Sequence, residues 1–313
     1  MQGSFPAGVA IDGDGLGLPE SGRVPGLTHR RIDTGEISQH VVLAGEGDGP
    51  LVVLLHGFPD FWWGWRYQIP ALVKAGFRVA VPDLRGYNLS DQPPNVGDYA
   101  ISHLVSDVEG LIDSLGEKSA HVVGHDWGGA VAWQLAMRHP ERVNRLAIVN
   151  CPHPKVLVRA LVRSPVQLRR SWYMFFFQLP HLPELMLQQN NYAALRKTNT
   201  AGRLVRPGPD EVEPYIDAAR RSDSLRGGLN YYRAMFRGGR ALMRDKPARI
   251  DHEVLVVWGE RDIALGKELA TPPKRLVSNA RVEFLPEASH WPHTDAPSRV
   301  NGLLVPFLLG PTN

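Results

Sequence analysis

The stretch Ala120-His121-Val122-Val123-Gly124-His125-Asp126-Trp127-Gly128-Gly129-Ala130 decides the fold. Ala120 to Val123 is a short apolar run of the kind that forms a buried strand, and Ala130 to Arg138 has helical spacing. Between them lie Gly124, Gly128 and Gly129, with an aspartate at the centre. Glycine lets a chain turn tightly and lets a strand approach the helix that follows it. The pattern therefore predicts a strained strand-to-helix turn with Asp126 exposed at its apex. A carboxylate with a reference pKa of about 4 is ionised at neutral pH, so Asp126 needs no base to act as a nucleophile. An aspartate before a helix can also simply cap it, so the meaning of Asp126 depends on its partners.

Outward from this turn, short β-branched runs alternate with helical patterns. Ile37 to Leu43, Leu51 to Leu55, Phe77 to Val81 and Val143 to Val149 read as strands. Leu51 to Leu55 is apolar throughout, as expected for a strand covered on both faces. Trp65 to Ala75 and Tyr99 to Leu115 read as helices, the second ended by Gly116. Alternation of this kind predicts a mostly parallel central sheet flanked by helices. It breaks at Cys151-Pro152-His153-Pro154, after which no strand is expected until about Asp245. That segment is Arg-rich and punctuated by Pro165, Pro180, Pro183, Pro207, Pro209 and Pro214, which predicts short helices. Strand patterns resume at Val254 to Val257 and Val282 to Leu285, with helices expected near Lys267 to Val277 and from Pro297 to Leu308. The reading is one α/β domain, residues 27–151 and 246–313, interrupted after its sixth strand by a helical lid over 152–245. Residues 1–26, with seven glycines and no apolar run after a basic start, read as a flexible lead rather than a signal peptide.

Composition narrows the function classes. The 313 residues are 43% hydrophobic and 21% charged, which excludes wholesale disorder. A net charge of +3 without a run of like charges speaks against a nucleic-acid partner. The charge is uneven, because residues 152–245 hold 16 Lys and Arg against 7 Asp and Glu. That excess is read as a solvated basic surface, with steering of anionic substrates as the sharper alternative. The single cysteine, Cys151, excludes a disulfide framework and suits a reducing, cytoplasmic compartment. Apolar runs fall far short of the roughly 18 residues a membrane span needs.

An ester formed on Asp126 must be hydrolysed, which requires a base, a group to orient it and donors for a tetrahedral oxyanion. His56-Gly57-Phe58-Pro59-Asp60 follows the Leu51 to Leu55 strand, so the Phe58 and Trp127 N–H groups are the expected oxyanion donors. Ser289-His290-Trp291-Pro292-His293 supplies the base, with His290 preferred over His293. Trp258-Gly259-Glu260-Arg261-Asp262 supplies the acid, with Asp262 preferred over Glu260. His290 and His293, three apart, could form part of a metal site, but no third ligand of matching spacing accompanies them, so no metal is expected. No cofactor is expected either.

With these residues in place, the chain resembles the epoxide hydrolase branch of the α/β-hydrolase fold over about residues 27–309. The similar segments are His56 to Trp62 with Trp65-Arg66, Asp83 to Tyr87 with Ser90-Asp91, and Gly124 to Gly129. Asn88 stands where that family often carries another glycine. The resemblance implies two lid tyrosines that hydrogen-bond the epoxide oxygen. Trp172 to Pro180 resembles the segment carrying the first, at Tyr173. Gly228 to Arg233 resembles the segment carrying the second, at Tyr232, with Tyr231 the adjacent alternative. The implied activity is hydrolysis of an apolar epoxide to a vicinal diol, with water as the second substrate. A haloalkane dehalogenase with the same nucleophile and a non-catalytic ligand binder are the rival readings. The expected pocket wall adds His56, Pro59, Trp62, His153, Phe177 and Trp291.

Overall fold

The computed structural model describes residues 9–10, 26–221, 223–244 and 248–310. Among these residues nine strands form one sheet: β1 (Val9–Ala10), β2 (Thr28–Asp33), β3 (Ser38–Ala44), β4 (Leu51–Leu55), β5 (Arg78–Pro82), β6 (Ala120–His125), β7 (Val143–Val149), β8 (Ile250–Gly259) and β9 (Val277–Leu285). Their spatial order is β1-β2-β3-β5-β4-β6-β7-β8-β9. The β1/β2, β2/β3 and β3/β5 pairs are antiparallel, and every later pair is parallel.

The helices are α1 (Gln68–Lys74), α2 (Ile101–Ser114), α3 (Trp127–Arg138), α4 (Pro154–Arg163), α5 (Pro165–Arg170), α6 (Trp172–Phe176), α7 (Leu182–Thr200), α8 (Pro209–Arg220), α9 (Ser224–Arg244), α10 (Pro292–Asp295) and α11 (Pro297–Leu309). Side chains on a strand alternate between faces, and β4 feeds two cores accordingly. Leu51, Val53 and Leu55 join the residues of α2 and α3, whereas Val52 and Leu54 join those of α1 and α11. All five are buried, as their continuous apolar run requires. A third cluster, including Met174, Leu187, Ile216 and Leu229, lies within the inserted helices.

The insertion follows β7, the sixth strand when the two-residue β1 is set aside. Its helices are not all short. α9 runs for 21 residues, and α7 is interrupted at Gln189–Tyr192, where Asn190, Asn191 and Tyr192 take positive φ. The strand Thr28–Asp33 and the brief Val9–Ala10 pairing are additions to the sequence reading; most of the 1–26 lead lies outside the described residues. The helix expected near Lys267 to Val277 is replaced by a 3₁₀ turn, Lys267–Leu269, and the start of β9. Pro272 and Pro273 account for this, because proline lacks the N–H that a helix interior needs.

Side-chain anchors fix the loops at the carboxyl end of the sheet. Arg85, after β5, makes a buried two-pronged ion pair with Asp107 of α2 at 2.8 and 2.6 Å. Asn88 adopts φ 43° and donates to Asp83 Oδ2 at 2.7 Å, so the position that resembles a family glycine keeps a residue tolerant of left-handed backbone. Tyr231 of α9 donates to the Arg85 carbonyl at 2.8 Å. Arg233, two residues further along the same helix, donates to the carbonyls of Phe177 and Leu179 and pairs with Glu184. The Tyr231 bond holds α9 over the strand ends, and the Arg233 contacts tie it to the other inserted helices.

Candidate active site

From β4 the chain crosses to β5 on one side, and β6 then adds on the other. Such a switch point leaves a crevice at the carboxyl ends of the strands. The segment after β4 carries Phe58, and the segment after β6 carries Asp126. The Asp126 backbone has φ 48° and ψ −118°, strained for a residue with a side chain. The surrounding glycines are needed for packing. A Cβ on Gly128 would lie 2.2 Å from the Leu55 carbonyl, and one on Gly57 would lie 2.4 Å from Asp126 Cβ.

Phe58 N–H donates to Asp126 Oδ1 at 2.8 Å. Trp127 N–H stands at the first position of α3, where no intrahelical acceptor exists. On the other side, His290 Nε2 lies 3.5 Å from Asp126 Oδ2, and His290 Nδ1 donates to Asp262 Oδ2 at 2.6 Å. Asp262 is buried, and its Oδ1 accepts N–H bonds from Ala264 and Leu265 at 2.8 and 2.9 Å. Burial would raise the Asp126 and Asp262 carboxyls. His290 outweighs it at both positions and holds each below the usual carboxylate range. Burial lowers the His290 imidazole, but Asp262 and Asp126 outweigh it and raise its pKa to about 10.

Two phenols complete the arrangement. Tyr173 of α6 and Tyr232 of α9 have ring centroids 5.9 Å apart, and Tyr232 packs edge-on against Phe58 and Trp127. Burial, followed by the Asp126 charge, pushes both phenols well above their ordinary pKa. Asp126, Trp127, Tyr173 and Tyr232 line one cavity of about 870 Å³, whose remaining wall includes Cys151, Pro152, Leu157, Met174, Met235 and Leu265.

Three sequence alternatives are resolved by position. Tyr231 is spent on the Arg85 carbonyl, so Tyr232 is the α9 phenol near Asp126. Glu260 pairs with Lys267 at the surface, whereas Asp262 meets His290. His293 turns away from Asp126 and lies 3.7 Å from Asp60.

The expected pocket wall needs correction. His56 accepts the Leu84 N–H at Nε2 and donates from Nδ1 to the Gly57 carbonyl, bracing two loops behind the cavity. Trp62 packs into the α1 core, and Pro59 borders a separate void of about 20 Å³. His153 caps α4 and packs on Trp133. Phe177 supports Tyr173 and Tyr232 from behind, and Trp291 packs edge-on against His290. None of these six lines the 870 Å³ cavity.

Sequence reasoning missed Asn150. At φ 40°, just past β7, it donates to Asp262 Oδ2 at 2.8 Å and accepts the Gly259 N–H at 2.7 Å. It thereby ties the end of β7 to the carboxylate that holds His290. An asparagine before Cys151-Pro152 carried no signal beyond its tolerance of left-handed backbone.

Known proteins agree with this architecture. A family model described as the α/β-hydrolase fold matches residues 50–297. The AB hydrolase superfamily protein YfhM of Bacillus subtilis is 42% identical over 286 residues, covering 90% of this chain and 98% of that protein. Mouse epoxide hydrolase 4 is 38% identical over 285 residues, covering 89% of this chain and 78% of its own length. The crystal structure of Bacillus megaterium epoxide hydrolase with an inhibitor superposes at a TM-score of 0.80, with 32% identity, covering 90% of this chain and all of that one. An aspartate held on a strained turn between β6 and α3, facing a His–Asp pair, is thus set in a sheet and helix arrangement shared with these proteins, and the chain belongs to the α/β-hydrolase fold family and, within it, to the epoxide hydrolases.

Proposed function

We propose that this protein hydrolyses an apolar epoxide to a vicinal diol through a covalent ester on Asp126. The observation that carries the reading is that one cavity brings together the Asp126 carboxylate and two buried, protonated phenols. A carboxylate suits attack on a saturated carbon, and a departing alkoxide needs a proton, which a halide does not.

In the first step Asp126 Oδ2 forms a bond to a ring carbon as the carbon–oxygen bond of the epoxide breaks. The oxygen takes a hydrogen bond from both Tyr173 and Tyr232 and a proton from one of them. The Phe58 N–H on Asp126 Oδ1 marks that atom as the carbonyl oxygen of the ester. In the second step His290 removes a proton from water, which attacks the ester carbon. Negative charge collects on Oδ1 and is held by the Phe58 and Trp127 N–H groups. The ester bond then breaks; the two protons of the water, one carried by His290 and one left on the Asp126 carboxyl, pass to the product oxygen and to the phenolate, and the diol leaves with Asp126 again a carboxylate. Esterification removes the Asp126 charge that helps hold His290 protonated, which favours its action as a base in this step. Asp262 keeps Nδ1 protonated so that Nε2 receives the proton.

Residues 152–245 act in this reading as a cap on the core formed by 27–151 and 246–313. The cap carries both phenols, and the core carries Asp126, Asp262 and His290. No helix among the described residues is long and apolar enough to cross a membrane. The buried Cys151 thiol suits action in the cytoplasm.

A single turnover of styrene oxide in heavy-oxygen water tests the route. The first diol formed should carry unlabelled oxygen from Asp126, and His290→Gln should accumulate the ester. Complete labelling of that first diol, or diol formation by Asp126→Ala, would refute it. Halide release from 1-bromoalkanes without diol formation from epoxides would favour the dehalogenase reading.

A further inference from the structure

Behind His290, away from the cavity, three side chains from distant parts of the sequence converge. Asp60 follows β4, His125 ends β6, and His293 opens α10. All three are buried, at 3%, 0% and 0% exposure. One ligating atom from each lies within 4.8 Å of the other two. Four of their polar atoms, Asp60 Oδ2, His125 Nδ1 and both ring nitrogens of His293, lack a hydrogen-bond partner among the described residues. Buried polar atoms left this way cost stability unless a ligand satisfies them.

The bonds that do exist orient the lone pairs inward. His125 Nε2 lies 2.8 Å from the His290 carbonyl, which only accepts, so Nε2 carries the proton and donates it. Nδ1 of His125 is therefore an unprotonated donor atom, held in place by a backbone carbonyl as metal-binding histidines commonly are. Asp60 Oδ1 accepts the Phe61 N–H at 2.7 Å, leaving Oδ2 towards His293 Nε2 at 3.7 Å. The His125 and His293 rings stand 4.5 Å apart between centroids. Two imidazoles and one carboxylate form a donor set suited to zinc rather than to magnesium or calcium, which prefer oxygen. Bonds of about 2.0–2.2 Å would require the ligands to close in from separations of up to 4.8 Å.

We propose that Asp60, His125 and His293 form a binding site for one zinc-type divalent cation, structural in role and separate from Asp126. Because His125 also holds the His290 carbonyl, the bound ion would stiffen the 289–293 turn. Sequence spacing hides the site, since its ligands lie 65 and 168 positions apart, at 60, 125 and 293.

The test uses the full-length, tag-free chain, stripped with a chelator, exposed to micromolar zinc and exchanged into zinc-free buffer. The expected result is one equivalent of zinc retained per chain, a rise in Tm with zinc but not with magnesium, and tetrahedral visible absorption with cobalt(II). His293→Gln and Asp60→Asn, checked for folding by circular dichroism, should each weaken zinc binding at least ~10-fold and lose the Tm rise. A wild-type chain that retains no zinc and shows no Tm shift overturns the proposal; a buried water on the same atoms would give that result. Retention by both variants equal to the wild type also overturns it, since the metal would then sit on other histidines. If one variant fails to fold, the other variant and the wild-type stoichiometry still decide.

Discussion

Replacing Asn150 by glycine probes how the His290–Asp262 pair is held. Asn150 Nδ2 donates at 2.8 Å to Asp262 Oδ2, the same oxygen that receives His290 Nδ1 at 2.6 Å. A hydrogen bond to a charged group is worth about 1.5–3 kcal/mol. If it acts fully in the transition state of ester hydrolysis, its loss slows that step about 10–150-fold. Glycine suits the φ of 40°, so Asn150→Gly removes the side chain without backbone strain. Asn150→Ala loses the same bond but keeps a Cβ in left-handed backbone without the short polar side chain that makes asparagine tolerant of it, at a cost of about 1–2 kcal/mol relative to glycine. Both variants should therefore show slowed hydrolysis, and the alanine variant should have the lower Tm. Rapid quenching with styrene oxide separates the steps: ester should build up in both variants while the alkylation rate stays near the wild-type value. Turnover by Asn150→Gly within about twofold of the wild type, with no accumulated ester, would refute the positioning argument.

Two further outcomes follow from the geometry. Tyr173→Phe with Tyr232→Phe should slow epoxide opening by roughly 10²–10⁴, the usual contribution of general acid catalysis, while hydrolysis of an ester already formed is unaffected. Equal slowing of both steps would show that these phenols serve packing. Stability should fall as pH drops from about 6.5 towards 4. Burial lowers His29, His121 and His153 to about 4 in the folded chain, so the unfolded chain binds more protons across that window. A thermal melt series from pH 7.5 to 4.5 should show the decline, with His153→Gln reducing its slope; a flat Tm would contradict the assignment.

The parts of this protein legible in its sequence are local. Alternating runs place β3 to β7 within a residue or two, because strand burial and helix amphipathicity repeat over a few residues. Asp126 is legible for the same reason: its turn needs glycines within three residues on either side. The order Asp126, Asp262, His290 is also visible, since each residue follows a strand. The failures have local causes of another kind. Pro272 and Pro273 forbid the helix read at 267–277, and Trp62 and His56, expected in the pocket wall, are buried behind it in the core and between two loops.

Direction in space was decided only by the tertiary structure. Adjacent residues on a helix point about 100° apart, so the sequence could name Tyr231 or Tyr232 but not say which faces Asp126. The bond from Tyr231 to the Arg85 carbonyl, 146 residues earlier, decides it. Likewise Asn150 acquires its role from a carboxylate 112 residues later. His293 reads as a spare base in the sequence and meets Asp60 and His125 only when β4, β6 and α10 converge. The sequence by itself determined most of the strands, the turn and the candidate reacting groups, because these rest on near-neighbour sterics and burial. Which side chains meet was left to the packing of segments far apart along the chain.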